Sequence, residues 1–173
     1  MGGIKSMTIT KKLIFIFLVL FFSSSITLLG QASELITITR SAFCLNINNR
    51  EPVNKISGIV NIAANESIYF WMEFIGRKDA LAVLEKTGEL KIWHKWRKGM
   101  WVTDRIMVGI NQEKWEENQE QIRFEFNERG FFTWRTCSFK KINSNGKRKV
   151  KIYGDKGDVI SPQMDSQINI VLN

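Results

Sequence analysis

The sequence predicts an all-β fold, and three observations support that prediction. Runs of β-branched and aromatic residues are short, Gly or Asn separates most of them, and few segments show helical periodicity. Short strands at nearly regular spacing are typical of two sheets packed face to face. We therefore expect an antiparallel immunoglobulin-like β-sandwich, preceded by an N-terminal signal or anchor helix.

Residues 1–32 are expected to direct export. Two lysines precede the apolar run 13–22, and small residues ending at Ala32 follow it. This order is typical of a secretory signal peptide cleaved after Ala32. The alternative is an uncleaved anchor, because residues 13–30 carry no charge and about 18 such residues suit a membrane span. Both readings place residues 33–173, expected as one sandwich domain, in the periplasm or on the outer face of the cytoplasmic membrane.

Eight strands and one helix are expected after this leader. The polar segment 112–121 has favourable helix propensity. Arg50, Glu51 and Pro52 mark a strand exit, where proline stops pairing, and the Arg/Glu pair is more often a turn lock than a ligand contact. The strand-like runs span residues 35–47, 67–75, 89–99, 101–110, 122–127, 131–142, 147–154 and 168–172.

Cys44 and Cys137, the only two cysteines, are a possible disulfide. An even count in an exported chain favours a bond, whereas free buried cysteine packs as a small hydrophobe. The first strand also predicts a bulge, because Ile36, Ile38, Ala42 and Cys44 share one face whereas Phe43, Leu45 and Ile47 indicate that the buried side switches. Both thiol states stay open from sequence alone.

In the run 67–75, apolar side chains occupy both faces of the predicted strand, so we expect a central strand covered on both sides. Further along, Trp134 and Arg135 have two readings. They could form an exposed stacking platform for sugars, or Arg135 could pair internally with Glu73 or Glu51, which we favour.

The segment KIWHKWRKG, residues 91–99, contains the only histidine. In a strand, His94 and Trp96 share one apolar face. A metal site needs more His, Cys or carboxylate ligands at suitable spacing, and a nucleophile with His94 as base needs an orienting group and a turn such as G-x-S-x-G. Neither pattern is present, so we predict no catalytic, metal or cofactor-binding residue and expect His94 to be hydrogen-bonded in or beside the core.

Several motifs recur together along the chain: REPV at 50–53, IYFWMEF at 68–74, His94 and Trp96, WRT at 134–136 with Ser138 and Lys140, and Val150 and Ile152 with Gly157. In this order they resemble the bacterial family called "domain of unknown function 2914". The similarity covers about residues 36–160 and implies an envelope-associated β-rich domain without an established activity. The chain departs from the family pattern at 111–128, which look like an insertion, and at Arg148, where a tryptophan is expected.

Charge restricts the partners. The whole chain carries a net charge of +8. After the leader, 22 basic side chains stand against 17 acidic ones, a net charge of +5. This excess permits attraction to anionic lipid or envelope polymers, while nucleic acid is disfavoured because the chain is expected outside the cytoplasm and its charges form no long cluster. Residues 13–30 add a possible membrane association.

We therefore expect a non-catalytic binding or assembly module of the bacterial envelope, whose partner is an envelope protein or an anionic envelope polymer. The alternative is a carbohydrate- or cell-wall-polymer-binding domain that uses exposed Trp and Lys/Arg side chains. A small hydrolase is the third reading, but no acid/base constellation supports it. Exposed clustering of Trp93, Trp101 and Trp115 would favour the polymer binder, and an apolar patch would favour a protein partner.

Overall fold

A computed structural model of the protein describes residues 35–155, 160 and 166–173. The expected leader, 1–32, and Gly157 lie outside the described residues. The described chain forms two β-sheets, so the predicted all-β sandwich is confirmed. None of its helices is long and apolar enough to cross a bilayer.

Nine strands and two helices make up the described part of the chain. The helices are α1 (Lys78–Thr87) and α2 (Gln112–Arg129). The strands are β1 (Ile36–Asn48), β2 (Glu51–Ile56), β3 (Gly58–Ile62), β4 (Ser67–Gly76), β5 (Trp93–Lys98), β6 (Trp101–Met107), β7 (Phe132–Lys141), β8 (Gly146–Tyr153) and β9 (Ser166–Leu172).

The first sheet has the order β2-β1-β4-β7 and is antiparallel, whereas the second has the order β3-β9-β8-β5-β6. In the second sheet β3 pairs parallel with β9, which corrects the expectation of purely antiparallel strands. The cause lies at Ser57, the single residue between β2 and β3. The chain passes there from one sheet to the other, and Gly58 has a positive φ of 67° that glycine adopts without steric cost.

The expectation that Pro52 ends a strand is wrong. Pro52 pairs with Ile47 inside β2, which is an edge strand and therefore tolerates a missing N–H. Asn49 and Arg50, both at positive φ, form the two-residue turn between β1 and β2. Positive φ at both positions is typical of the type I′ hairpin turn, whose twist suits paired strands.

The strand predicted at 122–127 is also wrong, because these residues continue the predicted helix as α2. Asn111 caps the helix by accepting a hydrogen bond from the Lys114 N–H (3.1 Å). Alternating apolar residues suggested a strand, but Ile122 is buried and Phe126 packs against the core one turn later, while Phe124 is 64% exposed. The helix α1 was not predicted; it buries Ala80 and Leu84.

The central strand is β4, which lies between β1 and β7 as expected. Its inward residues Phe70, Met72 and Phe74 are fully buried, and its outward residues Trp71 and Glu73 are nearly so. The predicted bulge in β1 is confirmed by a register shift between Ile38 and Arg40. Inward burial of each large apolar side chain stabilises the fold by about 1.5–3 kcal/mol.

Arg148 is buried on the inner face of β8, at the position where the family pattern expects a tryptophan. Its guanidinium donates hydrogen bonds to the carbonyl oxygen (2.8 Å) and hydroxyl (2.9 Å) of Ser144 and to the Gly146 carbonyl (3.3 Å). Burial lowers the pKa of Arg148. The side chain thus holds the turn between β7 and β8 by hydrogen bonds rather than by an ion pair.

The possible disulfide between Cys44 and Cys137 is not formed, and both thiols are free. Cys44 lies opposite Tyr69 and Cys137 lies opposite Trp71, on the two strands that flank β4. Two interstrand spacings of about 4.8 Å separate their Cα atoms by roughly 10 Å even before the two-residue offset. A disulfide requires a Cα separation below about 7 Å.

Alkylation of the unfolded, unreduced protein should therefore attach two labels per chain. In the folded protein Cys44 should react slowly, because it is fully buried and burial raises its pKa to about 11. Intact-mass spectrometry before and after unfolding measures both outcomes. No label and a mass about 2 Da lower, the signature of a disulfide, would contradict this assignment.

Candidate functional site

His94 and Trp96 lie in the core, where they join the two sheets. Both are completely buried on the inward face of β5. The hydroxyl of Ser138, on β7 of the opposite sheet, accepts a hydrogen bond from Trp96 Nε1 (2.9 Å) and lies 2.8 Å from His94 Nδ1. His94 Nε2 lies 3.2 Å from the Met72 sulfur on β4. These contacts make His94 and Trp96 structural elements between the sheets.

The hydrogen bonds favour one tautomer of His94. Because Trp96 Nε1 only donates, Ser138 Oγ accepts there, and its own proton is available for His94 Nδ1. Nε2 then carries the ring proton and points at Met72, a weak acceptor. This assignment satisfies all three polar side chains. It uses both ring nitrogens and requires a neutral imidazole.

Burial lowers the pKa of His94 to about 3. The ring therefore stays neutral throughout the physiological range, with no described carboxylate among its hydrogen-bond partners. Phe70 contacts it edge to face, with ring centroids 4.9 Å apart. A general base near neutral pH would need a pKa close to the working pH, so this environment suits packing rather than proton transfer.

Arg135 and Glu51 belong to a charged network on the outer face of the first sheet. Glu73 accepts hydrogen bonds from Arg40 (2.7 Å and 3.0 Å), from Arg135 (2.8 Å) and from Thr39 (2.9 Å). Glu51 accepts from Arg40 (3.3 Å) and pairs with Arg135 (3.2 Å). The hydrogen bonds of Arg40 lower the pKa of Glu73 to about 2, so the carboxylate stays charged.

This network shows the internal pairing of Arg135 with both glutamates. Arg40, Glu73 and Arg135 are directly opposite one another across β1, β4 and β7, so charges alternate along the row. Opposite charges at facing positions stabilise a sheet. Glu51 closes the network from β2, consistent with a locking role near the turn.

A cavity of about 600 Å³ lies beside this network, between α2 and β7. Its lining includes Arg50, Trp134 and Arg135, together with charged side chains of α2. Trp134 is largely buried, so it does not form an exposed stacking platform. The carbonyl of Arg50 accepts a hydrogen bond from Trp71 Nε1 (2.8 Å), which anchors the turn to β4. Three of the predicted site residues, Arg50, Trp134 and Arg135, thus line the cavity, and Glu51 pairs with Arg135 beside it, whereas His94 and Trp96 lie elsewhere.

The most distinctive surface lies on the outer face of the second sheet. We call it the basic face. The Lys and Arg side chains of β5, β6 and β8 that form it point outward, because side chains alternate along a strand and the intervening ones, including His94 and Trp96, are buried. Among the described residues at the outward positions of β3, β5, β6, β8 and β9, none is acidic. The basic face comprises Lys95, Arg97, Arg105, Lys147, Lys149 and Lys151.

Like charges face one another across the strands of the basic face. Arg105, Lys95 and Lys151 form one row across β6, β5 and β8, and Arg97 faces Lys149 in the next. Facing like charges destabilise a sheet by roughly 0.2–1 kcal/mol per pair. With strands about 4.8 Å apart and side chains alternating, the six cations occupy an area of roughly 10 by 13 Å. Such a surface attracts polyanions.

Two aromatic rings lie between these cations. The Lys95 ammonium is 3.6 Å from the centroid of the Tyr153 ring, and the Arg105 guanidinium is 4.1 Å from that of Trp93. Cation–π contacts of this kind hold positive charge on a surface without neutralising it. Lys95 and Arg105 therefore keep their positive charge within the basic face.

The described tryptophans do not form a single exposed cluster. Trp115 is a buried residue of α2, Trp93 is partly covered by Arg105, and Trp101 is strongly exposed at the end of the β5–β6 hairpin. These three tryptophans therefore do not form a common stacking surface. Among the described residues no group of three or more His, Cys, Asp or Glu side chains could hold a metal ion.

Sequence reasoning missed the basic face because it looked for charges that are continuous along the chain. The usable signal was a cation at every second position, at Lys95 and Arg97 and at Lys147, Lys149 and Lys151. In a strand, that spacing places them on one side. The sequence does not indicate which strands become neighbours in the sheet. The row of facing cations could therefore not be predicted from it.

No protein-family model matches the chain, and no curated protein matches it. The similarity to family 2914 therefore rests on the motifs alone. Within the structure, His94, Trp96 and Ser138 of those motifs form one hydrogen-bonded unit.

The buried neutral histidine predicts how stability depends on pH. In the unfolded chain His94 takes up a proton near pH 6.5, but its folded pKa is about 3. The unfolded state therefore binds more protons between these values, and stability present above pH 6.5 is lost as the pH falls. We expect a loss of roughly 1 kcal/mol for each pH unit below 6.5.

Urea unfolding at pH 7, 6 and 5 measures this loss, and His94→Gln is the matched variant. The variant should be about 1–3 kcal/mol less stable at pH 7, since its buried hydrogen bonds are disturbed. Its stability should change little between pH 6.5 and 5, because the contribution of Glu73 is lost only as the pH falls below the ordinary pKa of 4.5 toward the folded value of about 2. An equally steep pH dependence in the variant would refute the assignment to His94.

Proposed function

We propose that the protein is a non-catalytic binding module of the bacterial envelope, and that the basic face binds an anionic envelope component. The row of Arg105, Lys95 and Lys151 is the observation that carries this proposal. Facing cations cost folding stability, and an anionic ligand removes that cost by neutralising them. The sheet that faces the other way needs no such ligand, because its row of charges alternates in sign.

The non-catalytic part of the proposal rests on the site of His94. Both of its ring nitrogens are used in contacts between the sheets, and burial keeps the ring neutral. A small hydrolase would need a different group as its base. Binding of a cell-wall polymer stays a candidate function. In this form of the hypothesis, Lys and Arg side chains of the basic face bind the polymer, without a stacking surface built from Trp93, Trp101 and Trp115.

Export, family and fold subclass are proposals of the same kind. The charged, apolar and small-residue order of residues 1–32 supports export, and the motifs support membership of family 2914. The order β9-β8-β5-β6 matches the G-F-C-C′ order of a variable-type immunoglobulin sheet, with buried Trp96 on the strand equivalent to C. The edge strand β2, which lies beyond β1, is the main departure from that plan, because β1 pairs with β4 as A pairs with B.

Neutralising two facing cations should weaken binding to an anionic polymer. We expect Lys95→Gln combined with Lys151→Gln to reduce affinity for lipid-free teichoic acid about tenfold at low salt. Folding stability should change by less than about 1 kcal/mol, because relief of like-charge repulsion offsets the lost Lys95–Tyr153 contact. Titration at two salt concentrations and a urea melt measure both quantities.

The matched control is Lys78→Gln combined with Lys86→Gln on α1, which removes the same charge from exposed positions outside the basic face. This control should bind as the unaltered protein does. If both double variants lose affinity equally, overall charge rather than the basic face is responsible, and the proposal fails.

Export has its own test. The protein isolated from its native host should begin near Ser33 and should be found outside the cytoplasmic membrane, because cleavage after Ala32 removes the apolar run. Intact-mass measurement of fractionated cells determines the N-terminus. A full-length chain in the membrane fraction would show that residues 1–32 are an uncleaved anchor rather than a cleaved signal peptide. A full-length chain in the cytoplasm would contradict export.

A further inference from the structure

We propose that the end of the β5–β6 hairpin inserts into the interface of an anionic lipid bilayer. We call Met100, Trp101 and Val102 the hairpin tip. This inference rests on the proposed function, because it names the surface that the basic face meets.

The hairpin tip exposes apolar side chains at one point of the surface. Met100 and Trp101 are the most exposed large hydrophobic residues in the described part of the chain, at 83% and 78%, and Val102 is 53% exposed. Three consecutive exposed apolar residues differ from the scattered single ones that any surface carries. In contrast, Trp71, Trp96, Trp115 and Trp134 are buried.

Hydrogen bonds hold the hairpin tip in place. The Arg97 guanidinium donates to the Met100 carbonyl inside the turn, and the Thr103 hydroxyl donates to the Trp96 carbonyl (3.2 Å). Lys98 donates to the Ser144 hydroxyl (2.8 Å) on the neighbouring loop. A loop that is already ordered loses little conformational entropy on binding. The tip is therefore presented as a rigid projection.

The charges around the hairpin tip have the sign that a bilayer interface requires. Val102 faces Arg97 on the basic face, and Lys98 faces Trp101 across the strand pair. Lys147 begins the outward row of β8 beside the end of β5. Tryptophan prefers the boundary between headgroups and acyl chains, and neighbouring cations attract the headgroups of anionic lipids.

This combination favours a bilayer over a soluble polymer. A polymer neutralises the basic face but leaves Met100 and Trp101 in water. A bilayer with anionic headgroups covers both the cations and the apolar side chains, as it does for interfacial amphipathic segments. Val102 of the hairpin tip faces Arg97 of the basic face, so the tip lies at the end of that face.

Quenching of tryptophan fluorescence by brominated acyl chains tests the insertion. All six tryptophans lie between residues 71 and 134, so the apolar segment 13–30 contributes no signal. The exported protein is mixed with phosphatidylglycerol vesicles that contain dibrominated lipid, and separately with phosphatidylcholine vesicles. We expect quenching in the anionic vesicles that diminishes at high salt.

Trp101→Ala should abolish most of this quenching and weaken vesicle binding about tenfold, because apolar area no longer enters the interface. Its binding to lipid-free teichoic acid should stay unchanged. Phe124→Ala is the matched control, since Phe124 is the exposed aromatic residue of α2. That variant should behave as the unaltered protein does in both assays. Any binding through residues 13–30 is common to all variants and cancels in the comparison.

The outcomes separate the insertion from the function on which it rests. Equal quenching with and without Trp101, or polymer binding without any vesicle quenching, would overturn the insertion and leave the basic face as a polymer-binding surface. Binding to neither vesicles nor teichoic acid would overturn both proposals. Quenching that depends on Trp101 and on Lys95 and Lys151 would support both.

Discussion

The hydroxyl of Ser138 fixes the relation between the two sheets, and the remaining surface follows from it. It accepts a hydrogen bond from Trp96 and contacts His94, so both must point inward from β5. Side chains alternate along a strand, and the residues between them must therefore point outward. The buried polar unit and the basic face are thus opposite sides of one strand. Buried polar groups are costly unless paired, so this orientation of β5 is strongly favoured.

The two outer faces of the sandwich differ in how their charged side chains are paired. On the first sheet, Arg40 and Arg135 flank Glu73, and each guanidinium finds a carboxylate. On the second sheet, Lys95 has a cation on either side and makes a cation–π contact with the Tyr153 ring. The first arrangement is complete within the fold. The second leaves Lys95 between two cations, which is why binding of an anion is proposed there rather than at the cavity near Trp134.

The hairpin tip adds an apolar element to the charged one. Its position follows from the geometry of β5 and β6, which carry basic residues outward and then end in a short turn at Gly99 and Met100. The positive φ of Gly99 allows the tight reversal that places Met100 and Trp101 at the far end of the strand pair. In the proposed function, the cations attract an anionic surface, and the apolar hairpin tip favours a bilayer over a polymer.

The sequence by itself determined the β class, the inward direction of His94 and Trp96, the bulge in β1 and the central place of β4. These features depend on alternation within one segment, and alternation is local. It failed at 122–127, because Phe124 is exposed on a helix and completes a false strand pattern, and it missed β2 and β3, which are weakly apolar edge strands. Only the tertiary structure decided that Cys44 and Cys137 are separated by β4. It also decided that Glu73 lies between two arginines and Lys95 between two cations, because the order of strands in a sheet is set by packing across the whole chain and has no signature in any one segment.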